Sequence, residues 1–110
     1  MPLLERTRVE VYLPDLPSSD YQNLLLSFEE ELTYAFGGSS LLRGLEGSYL
    51  SASGWRIPDQ INLLYSDAPV ALSTDFAIVA AYVRELKHAA MEALSEETVL
   101  ISVSQVYHAV

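Results

Sequence analysis

Along residues 7–13, TRVEVYL, the apolar side chains Val9, Val11 and Leu13 alternate with Arg8, Glu10 and Tyr12. Val9, Val11 and Leu13 would point to one side of an extended chain, and the residues between them to the other. This period of two predicts a half-buried β-strand. Pro14 follows directly, and because proline has no N–H to donate to a strand ladder, the strand is expected to end there.

A helical period comes next. Ser19 stands three residues before Gln22, a capping-box spacing that predicts a helix start. Apolar side chains then recur every three or four residues, which predicts an amphipathic helix over 19–35. These side chains are Tyr21, Leu24, Leu25, Phe28, Leu32 and Ala35. Gly37 and Gly38 are expected to end the helix, one of them with positive φ, because glycine tolerates the left-handed conformation common at helix ends.

Two further strands are predicted over 45–52 and 60–66, separated by a Ser-Gly turn signal. In the second of these, three apolar residues in alternation are expected to face the core: Ile61, Leu63 and Tyr65. A second helix is predicted over 74–94, capped by Ser73 or Thr74. Its apolar stripe consists of Phe76, Val79, Ala80, Val83, Leu86, Ala90 and Leu94. A last strand over 98–107 is expected to place Val99, Ile101 and Val103 on the core face.

The element order is therefore β-α-β-β-α-β, the ferredoxin-like arrangement of the α+β class. Right-handed crossovers would place both helices on one face of a four-stranded antiparallel sheet with the strand order 4-1-3-2. The length of 110 residues suits a single domain over 1–110.

Three short motifs resemble those of a loose group of small uncharacterised bacterial ferredoxin-like proteins. They are the aromatic-Gly-Gly turn at 36–38 before the second strand, the Gly-Ser-Tyr at 47–49 on that strand, and the Glu-Glu-Thr-Val-Leu run at 96–100. Where the group has Thr after the glycines and Trp on the second strand, this chain has Ser39 and Tyr49. The resemblance implies the fold and transfers no functional site.

Composition narrows the possible partners. The chain carries a formal net charge of −9 and contains no cysteine. The negative charge disfavours nucleic acid and anionic membrane surfaces, since both repel acidic proteins. No apolar run approaches the ~18 residues that a membrane span requires. The absence of cysteine is typical of a reducing compartment, so a cytoplasmic location is expected.

The glycine-containing loop at 36–44 raises the question of a ligand site. It lacks the spacing of phosphate-binding loops and follows a helix C-terminus, whose dipole repels anions, so a simple helix stop is favoured. The alternative is a polar pocket that combines Ser39 and Ser40 with His108, which the topology brings to the same end of the sheet. Tyr12 is a further candidate for ligand binding. No catalytic residue and no cofactor is predicted.

His88 follows Glu85 at an E-x-x-H spacing, with Glu92 one turn further along the same helix. Carboxylate-bridged metal sites use this spacing, but they require further ligands from partner helices. All three side chains fall opposite the apolar stripe, so a solvated face is favoured and no metal is predicted.

The uncovered face of the sheet is expected to carry an association surface. Its predicted contact residues are Tyr12, Leu50, Leu64 and Leu100. The leading hypothesis is a small non-catalytic protein that acts as a homodimer and binds a protein or small ligand. One alternative is an enzyme with a pocket between protomers that uses His108 or Tyr12 as the acid/base. A second alternative is a metal-binding module built on His88.

Overall fold

The computed structural model describes residues 2–95 and 99–110. Its elements run in the order β1 (Leu3–Pro14), α1 (Ser19–Phe36), β2 (Ser40–Leu50), β3 (Arg56–Ala68), α2 (Leu72–Leu94) and β4 (Leu100–Ala109). The predicted α+β class and element order are confirmed, while β1, β2 and β3 are each longer than predicted. The predicted beginning of the last strand at Thr98, preceded by Glu96 and Glu97, lies outside the described residues.

All strand pairs are antiparallel, and the sheet has the order β2-β3-β1-β4. Counted from the opposite edge, this order is 4-1-3-2. The two central strands, β1 and β3, therefore have a partner on each side, and β2 and β4 form the edges. Neither of the two described helices is long and apolar enough to cross a membrane.

Both helices pack on the same face of the sheet, where the core lies. The alternation in β1 places Val9, Val11 and Leu13 there, all nearly inaccessible to solvent, as predicted. Each helix contributes one apolar stripe to this cluster: Tyr21, Leu25, Phe28 and Leu32 from α1, and Leu86 and Ala90 from α2. The opposite face of the sheet is not covered by any described element, and we call it the open face.

The orientation of β3 corrects the sequence prediction. Ile61, Leu63 and Tyr65 point to the open face, because their register partners Pro14, Tyr12 and Glu10 alternate with the core residues of β1. The side chains that face the helices are instead Asn62, Leu64, Ser66 and Ala68, all of which are buried. The prediction assigned the wrong face to the core because two residues on the buried face, Asn62 and Ser66, are polar.

Buried Asn62 is tolerated because its amide is fully used. Its Oδ1 accepts the Gly44 N–H at 3.0 Å, and its Nδ2 donates to the Tyr21 hydroxyl at 3.1 Å and to Asp15 Oδ1 at 3.2 Å. Gly44 lies in a bulge, where the β2–β3 register shifts between Leu42 and Leu45. Asn62 thus ties the bulge in the sheet to the start of α1.

The helix ends differ in detail from the prediction. Ser18, not Ser19, is the N-cap of α1, since its Oγ accepts the Tyr21 N–H. Gly37 ends α1 with φ of 93°, which confirms the predicted left-handed glycine. Helix α2 begins at Leu72, earlier than predicted, and the side chain of Asp75, rather than Ser73 or Thr74, accepts a backbone N–H there, that of Ala71. Three predicted stripe residues are exposed and do not join the core: Phe76 and Ala80 on α2, and Ala35 on α1.

Candidate functional site

Three charged or titratable side chains meet on the open face. Arg8 donates to Asp67 through two nitrogens, with Nε 2.7 Å from Oδ1 and Nη2 3.0 Å from Oδ2. His108 reaches the same carboxylate from β4, with Nε2 2.7 Å from Oδ2. We call Arg8, Asp67 and His108 the ion-pair cluster. An ionised carboxylate only accepts hydrogen bonds, so the His108 proton on this contact lies on Nε2.

The strand register explains why Arg8 and Asp67 meet. They are direct partners in the β1–β3 ladder and both point to the open face. The Arg8 guanidinium also lies over the ring of Tyr65, 4.8 Å from the ring centroid. The two-pronged contact and the ring hold this guanidinium in one orientation, which is the arrangement in which arginine pairs most strongly with a carboxylate.

The ion pair shifts the pKa values of Asp67 and Arg8. The hydrogen bonds from Arg8 lower the pKa of Asp67, partial burial opposes this, and the contact with His108 lowers that pKa further. The hydrogen bond with Asp67 likewise raises the pKa of Arg8. Because the pKa of Asp67 is lower in the folded chain, the cluster stabilises the fold above the acid range. That stabilisation is lost as the pH falls through the lowered value.

An open groove of about 500 Å³ lies beside the ion-pair cluster. Its wall includes Ser39, Ser40 and His108, so the structure does bring these three predicted ligand-binding residues together. Ser39 already has structural contacts, because its Oγ lies 3.1 Å from the Glu29 carbonyl and 2.8 Å from Thr33 Oγ1. Ser40 is exposed, and it begins β2 opposite Tyr65.

Tyr12 does not belong to this groove. It pairs with Leu100 in the β1–β4 ladder, whereas His108 pairs with Leu4, eight residues away along β1. At about 3.3 Å per residue, the two sites are roughly 26 Å apart. The Tyr12 hydroxyl lies 3.3 Å from Glu10 Oε2. Tyr12 and His108 therefore do not form one site within a protomer.

A row of apolar side chains crosses the open face. Leu42 pairs with Leu63, Leu63 with Tyr12, and Tyr12 with Leu100, so one residue from each strand contributes. Leu42 is 46% exposed and Leu100 is 62% exposed. The neighbouring row consists of Leu45, Ile61 and Pro14. We call these two rows the apolar rows. They occupy one half of the open face, and the ion-pair cluster lies in the other half.

Two of the four predicted interface residues are misplaced. Leu64 has no exposed surface and belongs to the core beneath the helices, so the prediction that it projects from the open face is wrong. Leu50 is 74% exposed, but its partner Arg56 is in phase with the core-facing residues of β3, so Leu50 lies on the helix side of the sheet and not on the open face. The bulge near Gly44 adds one residue to β2, and one added residue turns every later side chain to the other face. Tyr12 and Leu100 do lie on the open face.

The β2–β3 hairpin extends beyond the helices. Most residues between 46 and 60 are exposed, and the molecule measures 47 × 31 × 25 Å. Trp55 at its turn is 72% exposed and does not fold over the core. Tyr49 and Ile57 pair on the same face as the apolar rows, so the apolar surface continues onto the hairpin.

His88 lies on the exposed side of α2, as predicted, with Nε2 3.7 Å from Glu92. Among residues 2–95 and 99–110, no group of three histidine, cysteine or acidic side chains is placed to hold a metal ion.

The sequence prediction missed Arg8, Asp67 and Tyr65 as members of the site. Asp67 lies directly after the predicted end of the third strand at residue 66, where no strand pairing was expected. A pairing of β1 with β3 in register from Thr7 and Ala68 would have placed Arg8 opposite Asp67. No pattern local to either strand contains that register.

Comparison with known proteins does not assign the chain to a family. No family model matches the chain, and no significant match is found among curated proteins or solved structures.

Proposed function

We propose that this chain is a small non-catalytic ferredoxin-like protein of the cytoplasm that functions as a homodimer, with the open faces of two copies in contact. The observation that carries the proposal is the apolar row of Leu42, Leu63, Tyr12 and Leu100, which crosses all four strands on an uncovered face. An antiparallel sheet with helices on one side leaves its other face to water or to a partner. A sheet face that contacts water carries mainly polar side chains, whereas the apolar rows carry none that is charged.

The size of the open face supports a dimer contact. Four strands at about 4.8 Å spacing, over roughly ten residues of β3 from Asp67 to Ile57, give a projected area of about 600 Å². A standard protein interface buries about 800 Å² on each partner. Since side chains make the accessible area larger than its projection, the face has the dimensions that a stable dimer needs.

A two-fold axis would bring each apolar row against its own copy and bury it in both protomers. The polar half of the open face, with Arg8 and Glu10, would then lie at the rim. The net charge of −9 per chain opposes association through long-range repulsion. Salt screens that repulsion, so the dimer is expected to strengthen as ionic strength rises.

Sedimentation equilibrium at micromolar concentration tests the proposal. The wild-type chain is expected to sediment as a dimer. Leu63→Asp places a carboxylate at the centre of the contact and should give a folded monomer, because burying an unpaired charge costs several kcal/mol. Phe76→Asp is the matched control, since Phe76 is an exposed apolar residue on the helix side. That variant should remain a dimer.

Two results would contradict the proposal. A wild-type monomer at every accessible concentration and at high salt would remove self-association. A dimer that survives Leu63→Asp but dissociates with Phe76→Asp would place the contact on the helix side. Circular dichroism of each variant shows whether the fold is retained.

A further inference from the structure

Positive charge is concentrated at the groove beside the ion-pair cluster. The chain has only 6 lysine and arginine residues against 15 acids, yet Arg6 and Arg8 both line this groove together with His108. Arg6 and Arg8 are two residues apart on β1, so both point to the open face. Among the described residues that line the groove, Asp67 is the one carboxylate, and Arg8 and His108 already occupy its oxygens.

The arrangement leaves arginine nitrogens available as hydrogen-bond donors to a ligand, and it fixes the orientation of Arg8. Arg8 uses Nε and Nη2 on Asp67, so its Nη1 remains for another acceptor. Its orientation is set before any ligand arrives, which lowers the entropy lost on binding. Among the described residues, Arg6 donates only to the Glu5 carbonyl, through Nη1, so its other nitrogens are available to a ligand. Exposed Ser40 adds a hydroxyl to the same wall.

We propose that this groove binds a small molecule through an oxyanion, a carboxylate or a phosphate group, held by Arg6 and Arg8 with Ser40 and His108 beside it. The volume of about 500 Å³ is within the range of small-molecule sites. Guanidinium groups match carboxylate and phosphate oxygens in geometry as well as in charge. The site is complete within one protomer, and it lies in the half of the open face away from the apolar rows, at the rim of the proposed dimer contact.

Two features of the groove oppose anions, and both are outweighed. Asp67 is negative, but the charge of Arg8 balances it and leaves Arg6 in excess. The C-terminus of α1 ends at Gly37 in the groove wall and carries roughly half a negative charge. Arg6 carries a full positive charge. The carbonyl groups at that helix end favour a hydrogen-bond donor on the ligand, so the oxyanion should bind at the arginine side.

Nuclear magnetic resonance titration tests the site with two probes, sodium acetate and inorganic phosphate, at constant ionic strength kept with sodium chloride. Saturable shift changes are expected at the backbone amides of residues 6–8, 38–40 and 108. Arg6→Gln should weaken binding at least about tenfold, since it removes a charged hydrogen bond without touching the ion-pair cluster. Arg84→Gln removes the same charge from the exposed surface of α2 and should leave binding unchanged.

The outcomes separate clearly. Saturation with acetate but not phosphate assigns a carboxylate ligand, and the reverse assigns a phosphate ligand. Non-saturable shifts with both probes would overturn the site. Equal weakening by Arg6→Gln and Arg84→Gln would also overturn it, because it would show that the net charge alone attracts the anion. Since the titration reads residues of the groove, its failure leaves the sedimentation result untouched.

Discussion

Leu64→Ala is expected to lower the free energy of unfolding by about 2–5 kcal/mol, the cost of a cavity at a fully buried leucine. Leu64 has no exposed surface and joins the cluster that includes Val11, Leu25 and Leu32. For a domain of this size, total stability is about 5–15 kcal/mol, so this one change removes a large part of it. Urea denaturation followed by circular dichroism measures the loss.

Leu26→Ala is the matched control, because Leu26 is exposed on α1 and alanine is at least as good a helix former as leucine. Its effect should stay below about 0.5 kcal/mol. A loss below about 1 kcal/mol for Leu64→Ala would contradict the orientation of β3 described here. Such a result would indicate that Ile61, Leu63 and Tyr65 face the core instead.

Asn62→Ala is expected to cost about 2–4 kcal/mol. Each of the hydrogen bonds that the Asn62 side chain makes with Gly44, Asp15 and Tyr21 contributes about 0.5–1.5 kcal/mol, and its loss leaves the buried Tyr21 hydroxyl without this partner. The bulge in β2 should also loosen, because the Asn62 side chain accepts the N–H at its centre. Denaturation gives the energy, and hydrogen exchange of the Gly44 amide reports on the bulge.

Tyr21→Phe separates the two parts of this network. It removes one hydroxyl while Asn62 keeps its contacts with Gly44 and Asp15. The expected cost is about 1 kcal/mol, and exchange at Gly44 should not change. If Asn62→Ala costs no more than Tyr21→Phe and leaves the Gly44 amide protected, Asn62 does not hold the bulge.

The sequence was sufficient where one side of a segment was uniformly apolar. The alternation in β1 predicted the correct buried residues, and so did the stripe of α1 apart from half-buried Leu24 and exposed Ala35, because burial there depends mainly on local periodicity. It failed at β3, where Asn62 and Ser66 are buried. Ser66 Oγ donates to the Gly38 carbonyl, and Asn62 bonds to Asp15, 47 residues away. A buried polar group is stabilised by hydrogen-bond partners that are distant in sequence, and the local periodicity carries no information about those partners.

Only part of the candidate site could be predicted from the sequence. His108, Ser39 and Ser40 could be assigned to one end of the sheet from the topology alone. The ion-pair cluster could not be predicted from the topology, because it depends on the strand register that places Arg8 opposite Asp67. Leu50 was misplaced because a single added residue in β2 reverses the alternation after Leu42. Neither the register nor the bulge is encoded by residue type within its own segment.

The most direct test of the proposed dimer is the distance between matching labels on its two copies. The chain has no native cysteine, so single variants accept one spin label each. Ser102→Cys labels the open face on β4, and Lys87→Cys labels the exposed side of α2.

Packed sheets lie about 10 Å apart, and a helix is about 10–12 Å thick. A contact through the open faces therefore predicts Ser102 labels within about 20 Å of each other and Lys87 labels about 30 Å or more apart. Lys87 labels closer together than Ser102 labels, or two equal distances, would contradict a contact through the open faces.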